Sequence, residues 1–404
     1  MRAAQPNTAE DRPAPVFPYM KERLFSMNSL RTKFLSLGLA LVMALAATGC
    51  AIRTPATVGH IGSVEIPAGI YLLAQYEAYS TAAGDADLAT GETADDIAAV
   101  LKAECTGEIG GEQVTTDGAD YVARLTLRNL QYYAAVEAKF DELGGTLSSY
   151  STSEAAEQAA ELYESNSDLY RANGIGQDTL EAYQLNAAKA QSITRLIYGE
   201  DGQTPLTDED YTTYLQDDCL FLDTVQLPLF DAATYAFADE DQSEQIAALA
   251  QQCADTLNGW ATAEQGRSER YTSMYEAAQQ YVPQASEVLG ATMESAAALD
   301  YVGSSLMTPE DIALYGSSLT DLVEENGLDH WFVFNTGTAF TVMCAVDPLK
   351  VASLETYKAQ PDVLTAMKGD EVEQMLYDEG AAMEQALDQS AMNAYKPSNI
   401  KYSG

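Results

Sequence analysis

The sequence predicts a mainly α-helical protein carrying a small α+β insert, and three observations lead to that expectation. Apolar residues recur at helical spacing through residues 119–218 and again after Pro348. Between these regions, residues 219–349 begin with an alternating apolar run and end with two more, the pattern of half-buried strands. The helical runs stop at Gly144-Gly145 and Asn173-Gly174, residue pairs that accept the left-handed conformation at a helix end. No internal repeat, heptad run or long low-complexity tract competes with this reading.

In chain order, "VGHIGSVEIPAGIYLLAQYEAYSTAA" gives two short extended pieces around a turn at Gly62-Ser63, then a helix starting near Pro67. Residues 84–96 and 104–118 are rich in Gly, Asp, Glu and Thr and read as loops. In "DYVARLTLRNLQYYAAVEAKFDELGG", Val122, Leu125, Tyr133, Val136, Phe140 and Leu143 form one helical face. "TSEAAEQAAELYESNSDLYRANG" reads as the next helix, and Asp178 as the cap of "TLEAYQLNAAKAQSITRLIYG". After "EDGQTP", Thr207 caps "LTDEDYTTYLQDD" with Asp210 three residues on. A strand over 220–230 then leads into two helices, "QSEQIAALAQQCADTLNGWA" and "RSERYTSMYEAAQQYVP". "MTPEDIALYGSSLTDLVEE" is a third helix, with Thr308 as cap and Pro309 at its first position. "HWFVF" and "AFTVMCAV", turning at Asn335-Thr336-Gly337, form an antiparallel pair. "DEVEQMLYDEGAAMEQALDQSAMNAY" is helical, and "KPSNIKY" is extended.

Composition narrows the function. The 404 residues include 21 Lys+Arg and 61 Asp+Glu, a formal net charge of −40, which excludes recognition of nucleic-acid phosphates by clustered basic residues. "MNSLRTKFLSLGLALVMALAATGC" has a basic start, a short apolar stretch and small residues before Cys50, the anatomy of a secretory signal ending in a lipobox. Residues 1–26 read as upstream of a start at Met27. Cys50 is the expected lipidation site, so the expected location is the outer face of a bacterial cell membrane. Cys105, Cys219, Cys253 and Cys344 are too few and too far apart for a disulfide framework or a zinc site, and Cys219, Cys253 and Cys344, among apolar or small residues, read as buried thiols. No calcium loop, nucleotide-binding loop, nucleophile elbow or zinc-protease motif is present, so neither cofactor nor metal is expected.

The order of parts resembles the extracytoplasmic foldases of the SurA/PrsA type. "VGHIGSVEIPAGIYL" is similar to that family's opening strand–turn–strand–helix, and "NGIGQDTLEAYQLNAAKAQSITRLIYG" to its later helix. "LTDEDYTTYLQDD" is similar to the helix leading into the isomerase domain, and "AYKPSNIKY" to the closing strand. The resemblance spans roughly residues 58–404 and is carried by order and spacing. It implies a helical SurA-like chaperone module split around a parvulin-like domain. On that division, residues 1–49 hold the upstream residues and signal peptide and 50–58 a lipidated tether. Residues 59–218 form the N-terminal part of the module, 219–349 the parvulin-like insert, and 350–404 the helix and tail that complete the module.

Parvulins carry a His in the first strand and another in the last. Here Gln226 falls at the first position and Thr341 at the second, while the two histidines of the chain, His60 and His330, fall elsewhere. The resemblance therefore implies the fold with weak or absent peptidyl-prolyl isomerase activity. The expected partners are unfolded secreted polypeptides. Phe332, Phe340 and Met343 are candidates for an apolar pocket in the insert, and Tyr71, Tyr76, Tyr132, Tyr133, Tyr183 and Met375 for client-facing positions in the module. Two alternatives remain. One is an active isomerase with a rewired site built from Gln226, Thr341 and Cys344; the other is a peptide- or solute-binding lipoprotein.

Overall fold

Strand β1 (Thr57–Ile61) turns through Gly62, at φ +57°, into β2 (Val64–Pro67), and α1 (Ala68–Asp85) follows directly. The structure is a computed structural model and describes residues 56–402 except 90, 232, 233, 235, 263 and 264. The signal segment, Cys50 and most of the tether lie outside the described residues. After the single turn α2 (Ile97–Val100), β3 (Glu104–Ile109) and β4 (Glu112–Asp117) pair as an antiparallel hairpin. The longest helix, α3 (Gly118–Glu142), starts where the Asp117 side chain accepts from the Asp120 N–H. Then come α4 (Ser149–Ser165), α5 (Ser167–Ala172), α6 (Gln177–Tyr198) and α7 (Asp208–Thr213). Thr207 and Asp210 form the expected reciprocal cap of α7, and a π-helical turn over Tyr214–Asp218 closes this part.

The α+β insert follows. Its strands are β5 (Leu220–Pro228), the tiny hairpin β6 (Phe230–Asp231) and β7 (Ala236–Phe237), then β8 (Val302–Met307), β9 (Trp331–Asn335) and β10 (Ala339–Val346). Helices α8 (Glu240–Trp260) and α9 (Arg267–Val288) lie between β7 and β8, and α10 (Pro309–Ala313) and α11 (Ser317–Asn326) between β8 and β9. The main sheet has the order β8-β5-β10-β9 and is antiparallel throughout. One face is covered by α8 and α9, which bury Phe221, Val225, Leu227, Val342 and Cys344 with Ile246, Met274 and Val282. The other face meets α10 and α11, where Leu222, Phe332, Met343 and Ala345 pack around Leu319. Period-two alternation along each strand sorts these residues between the two cores.

From Pro348 the chain passes through α12 (Pro348–Val351) and α13 (Leu354–Lys358) into α14 (Pro361–Ala382). Helix α14 packs on α3 and α6, its Val372 and Leu376 joining Ala135, Val136, Phe140 and Ile193 in one core. Strand β11 (Gln385–Leu387) then adds to β1, giving the sheet order β11-β1-β2, before α15 (Gln389–Ala394) and the tail. The seam is tight. Gly59 has φ +118°, and any side chain there would run into the Ala386 carbonyl oxygen.

The architecture is mainly α with a small α+β insert, as the sequence predicts. Several details differ. Residues 104–118, expected as loops, contain the β3–β4 hairpin, turned by Gly110 and Gly111, both at positive φ, and anchored by the buried Cys105. Strand β8 was not expected because "VGSSLM" carries little β-forming signal; its pairing with β5 supplies what local sequence does not. Three expected single helices are each broken: at Asn166, at Gly316 (φ +67°), and at Gln385–Leu387, where β11 interrupts the helix expected over residues 370–395. Gly176, not Asp178, occupies the N-cap of α6; the Asp178 carboxylate instead accepts from the neighbouring Thr179 N–H. The closing strand is Gln385–Leu387, not the terminal "AYKPSNIKY", whose Tyr402 ring instead packs on Tyr76 and Tyr79.

Candidate functional site

Gln226 and Thr341 are direct cross-strand partners on β5 and β10, and Thr341 also pairs with Phe334 on β9. The central position of both strands in the sheet makes this juxtaposition. Thr341 is 1% exposed and its Oγ1 has no hydrogen-bond partner, whereas Gln226 is half-buried. On the same face, Phe334 meets Tyr315 edge-on with ring centroids 5.9 Å apart. Leu314, in the turn after α10, and Phe237, on the β6–β7 hairpin, are largely exposed. The Phe237 ring rests on Phe230 at 4.9 Å. Phe334 and Tyr315 were not singled out from the sequence, because aromatic residues in a strand and beside a helix end look like ordinary core.

Cys344 does not belong with Gln226 and Thr341. It lies three residues beyond Thr341 on β10 and therefore points through the opposite face, toward α8 and α9. Burial pushes its thiol up to about 12, and the Arg270 guanidinium, 3.2 Å from its sulfur, only partly offsets that. Phe340 is on that face too, so Phe332, Phe340 and Met343 do not converge on one pocket. Phe332 and Met343 are buried together under Leu319.

The Cys344 face also holds a buried polar key. Asp223, 0% exposed, accepts from Arg267 at 2.5 and 2.7 Å and from Ser304 Oγ at 2.6 Å. Arg270 lies 3.9 Å from the same carboxylate and binds Asp329 at 2.6 Å. Asp329 is held at φ +63° and is braced again by Lys350 at 3.0 Å. Every charge in this group has an opposite partner, the pattern of a structural brace.

In the helical module, Tyr71 and Tyr76 are core residues. Tyr71 accepts from Gln75, and Tyr76 packs beside Tyr402. Tyr133 is half-buried against the strand core, and Met375 packs beside Val372 and Leu376. Tyr132 and Tyr183 do come together, in company the sequence reading missed. Tyr132 on α3 meets Tyr377 of α14 at 4.6 Å with the rings tilted by 38°, and the Arg128 guanidinium covers Tyr377 at 4.0 Å. Tyr183 on α6 lies beside Glu77 of α1 and its hydroxyl faces the carboxyl. The Glu77 Oε1 and the Tyr183 hydroxyl are both buried, with no partner outside this pair. Burial lifts the Glu77 carboxyl to about 8, with Tyr183 offsetting only part of the shift.

No family model matches the chain, and no curated protein matches it. Among solved structures, the chain is similar to the crystal structure of foldase protein PrsA from Streptococcus pneumoniae str. Canada MDR_19A. That similarity has a TM-score of 0.33 at 12% identity and covers 72% of this chain and 98% of that one.

His60 and His330 are both exposed, on β1 and just before β9. Among the described residues no group of His, Cys, Asp and Glu is arranged to hold a metal ion, and no helix is long and apolar enough to cross a membrane. Gln226 and Thr341 can donate and accept hydrogen bonds but do not exchange protons near neutral pH. The arrangement therefore offers hydrogen bonding rather than proton-transfer chemistry.

Proposed function

We propose that this chain is a chaperone for unfolded secreted polypeptides, tethered by lipid on Cys50 to the outer face of the cell membrane. Its insert is parvulin-like, with weak or absent prolyl isomerase activity. The observation that supports the chaperone reading is the closure of the module. Strand β11 and helix α14, from the end of the chain, complete the sheet and helical pack begun by β1, α3 and α6. This closure brings Tyr377 of α14 against Tyr132 of α3, and these half-buried rings offer an apolar and phenolic surface. Such a surface suits varied client segments, because aromatic faces bind without demanding one sequence. The weak-isomerase reading rests on the Gln226–Thr341 pair. Lowering a barrier of about 18–20 kcal/mol needs groups that favour the twisted amide, and a lone amide with a hydroxyl supplies modest hydrogen bonding. The test measures suppression of aggregation of an unfolded client beside turnover of a proline peptide. Suppression with little turnover is expected; no suppression overturns the proposal.

A second reading, a working isomerase with a rewired site, draws support from one observation. The Thr341 hydroxyl is buried, unpaired and on the same face as Gln226. Rapid turnover that disappears on Thr341→Val and on Gln226→Ala would establish it.

A further inference from the structure

Residues 396–402 follow α15 and belong to neither a helix core nor a sheet, yet they are seated on the helical module in a regular way. A single 3₁₀ turn (Pro397–Asn399) comes first, closed by the Asn399 N–H on the Lys396 carbonyl and the Ile400 N–H on that of Pro397. Beyond it the side chains alternate. Ile400 is buried in the core that holds Tyr76, Tyr79 and Tyr170, Lys401 is exposed, and Tyr402 is half-buried against the same core. In, out and in again is the order of an extended chain lying on a surface.

The module grips this segment as it would a bound peptide. Asn173, just past α5, reads both backbone groups of Lys401: its Nδ2 donates to the Lys401 carbonyl and its Oδ1 accepts from the Lys401 N–H, each at 2.9 Å. A further bond from Nδ2 to the Leu169 carbonyl, at 3.1 Å, fixes the amide for this task. The two bonds to Lys401 are those an antiparallel strand would make, and every residue except proline carries the groups they need. Tyr402 has its own seat. Its ring meets Tyr79 edge-on at 5.1 Å and lies 6.0 Å from Tyr76, and its hydroxyl is 3.3 Å from Ser80 Oγ. The Tyr79 hydroxyl donates to the Ala94 carbonyl at 2.7 Å, so that ring is held in place from behind. Lys401 is exposed and Asn173 and Tyr402 are half-buried, so the groove opens to solvent.

We propose that residues 396–402 are a built-in plug in a peptide-binding groove of the helical module, and that an extended stretch of client takes their place. This inference rests on the chaperone reading and gives it a site and a gate. The groove asks for apolar side chains two residues apart and leaves the residue between them free, because the Asn173 amide reads only backbone. Helix α15 is anchored separately, by the buried Ala391 and by Tyr395 packed 6.3 Å from Tyr71, so the exchange is confined to the residues beyond it. A plug on so short a connection competes at an effective concentration on the order of millimolar. Short or weak ligands are shut out, and a long unfolded chain, which offers many such stretches at once, displaces it.

The test uses the full chain and a fluorescent synthetic copy of residues 396–402, with binding read by anisotropy. Lys401→Pro with Tyr402→Ala removes the plug's backbone donor and its ring while leaving Asn173, Tyr76 and Tyr79 as they are. That variant is expected to bind the copy at least about tenfold tighter than the unmodified chain, because the groove is no longer occupied in cis. Adding Asn173→Ala removes the gain. A copy that itself carries Lys401→Pro binds at least about tenfold more weakly, a readout that no change in the protein's folding can imitate. Suppression of client aggregation, measured beside it, rises in the variant with the plug released. A released variant that binds the copy no tighter, or equal binding of the two copies, overturns the inference, and the chaperone reading stands if the unmodified chain still protects the client. Tighter binding of the copy without protection of a client by either protein overturns the chaperone reading and leaves the groove as a site for extended peptides.

Discussion

Replacing Asp223 with alanine removes the hub of the insert. The carboxylate is fully buried and receives two hydrogen bonds from Arg267 and one from Ser304, with Arg270 at 3.9 Å. Breaking a buried ion pair from one side costs about 3–5 kcal/mol, because the remaining charge loses its partner. Two features place Asp223→Ala at the lower end. The Arg267 side chain is 31% exposed and can turn to water, and Arg270 keeps Asp329. A loss of about 3 kcal/mol, at a urea dependence of about 1.5 kcal/mol per molar, lowers the midpoint by about 2 M. Both tryptophans, Trp260 and Trp331, lie in the insert, so tryptophan fluorescence reports its unfolding, while far-ultraviolet circular dichroism follows mainly the helical module. The fluorescence midpoint should fall well before the dichroism midpoint. Asp223→Asn, which keeps the shape and some hydrogen bonds, should lose about half as much. A fluorescence midpoint lowered by less than about 0.3 M in the alanine variant would refute the view that Asp223 braces the sheet.

Thr341→Val exchanges an unpaired buried hydroxyl for a methyl of the same shape, so stability measured by thermal unfolding should rise by about 1–2 kcal/mol, and peptide binding at the Gln226 face should weaken if that hydroxyl serves a client. A stability loss would show that Oγ1 is paired in solution. Glu77 has a folded pKa raised above its unfolded value. Folding therefore loses stability as pH rises from about 4.5 to about 8, and the loss is complete above that. Denaturation across that range should show wild type falling relative to E77Q by about 1–3 kcal/mol, allowing for the side chain's partial exposure. Parallel curves would mean that Glu77 is hydrated. Gly59→Ala forces a side chain into the Ala386 carbonyl at positive φ and should cost about 2–3 kcal/mol. Hydrogen exchange should then quicken at residues 385–395 first, and unchanged protection there would separate the β1–β11 seam from closure of the module.

The division into long helices and an α+β stretch was legible because it rests on periodicity, which survives without tertiary context. The Thr207–Asp210 cap and the Thr308 cap were legible for the same reason, being local hydrogen bonds within one helical turn. Strand β8 was not, since its glycine and serines adopt the strand only against β5, where Gly303 lies close to Thr224. At the site, the cross-strand meeting of Gln226 and Thr341 followed from alignment to a strand pattern. The exclusion of Cys344 and Phe340 from that face also follows from counting residues along β10, and a parity check on "AFTVMCAV" gives it directly. The Glu77–Tyr183 pair could not be read at all. Glu77 and Tyr183 come from α1 and α6, about a hundred residues apart, and a single glutamate in "AQYEAYS" carries no sign that the fold will bury it.

How the insert is attached bears on how it and the helical module would work together. The chain enters the insert after α7 and leaves it through α12 and α13, and these two passes are packed on each other. Tyr211 and Leu215 from the first pass share a buried core with Tyr357, Val363 and Leu364 from the second and its continuation into α14; Leu306 of the insert lies against them. Lys358 pairs with Asp208 at 2.8 Å, and the Tyr357 hydroxyl donates to the Pro348 carbonyl at 2.9 Å. Linkers joined through an apolar core resist the free swinging expected of domains connected by polar strands of chain. The insert and the module are therefore held in a fixed relation. On the proposed chaperone reading, a client long enough to touch both the insert and the module would gain the second contact at high effective concentration, whereas a short peptide would gain only one. Contacts spread over such a frame would, on that reading, favour long unfolded chains over folded proteins or small solutes.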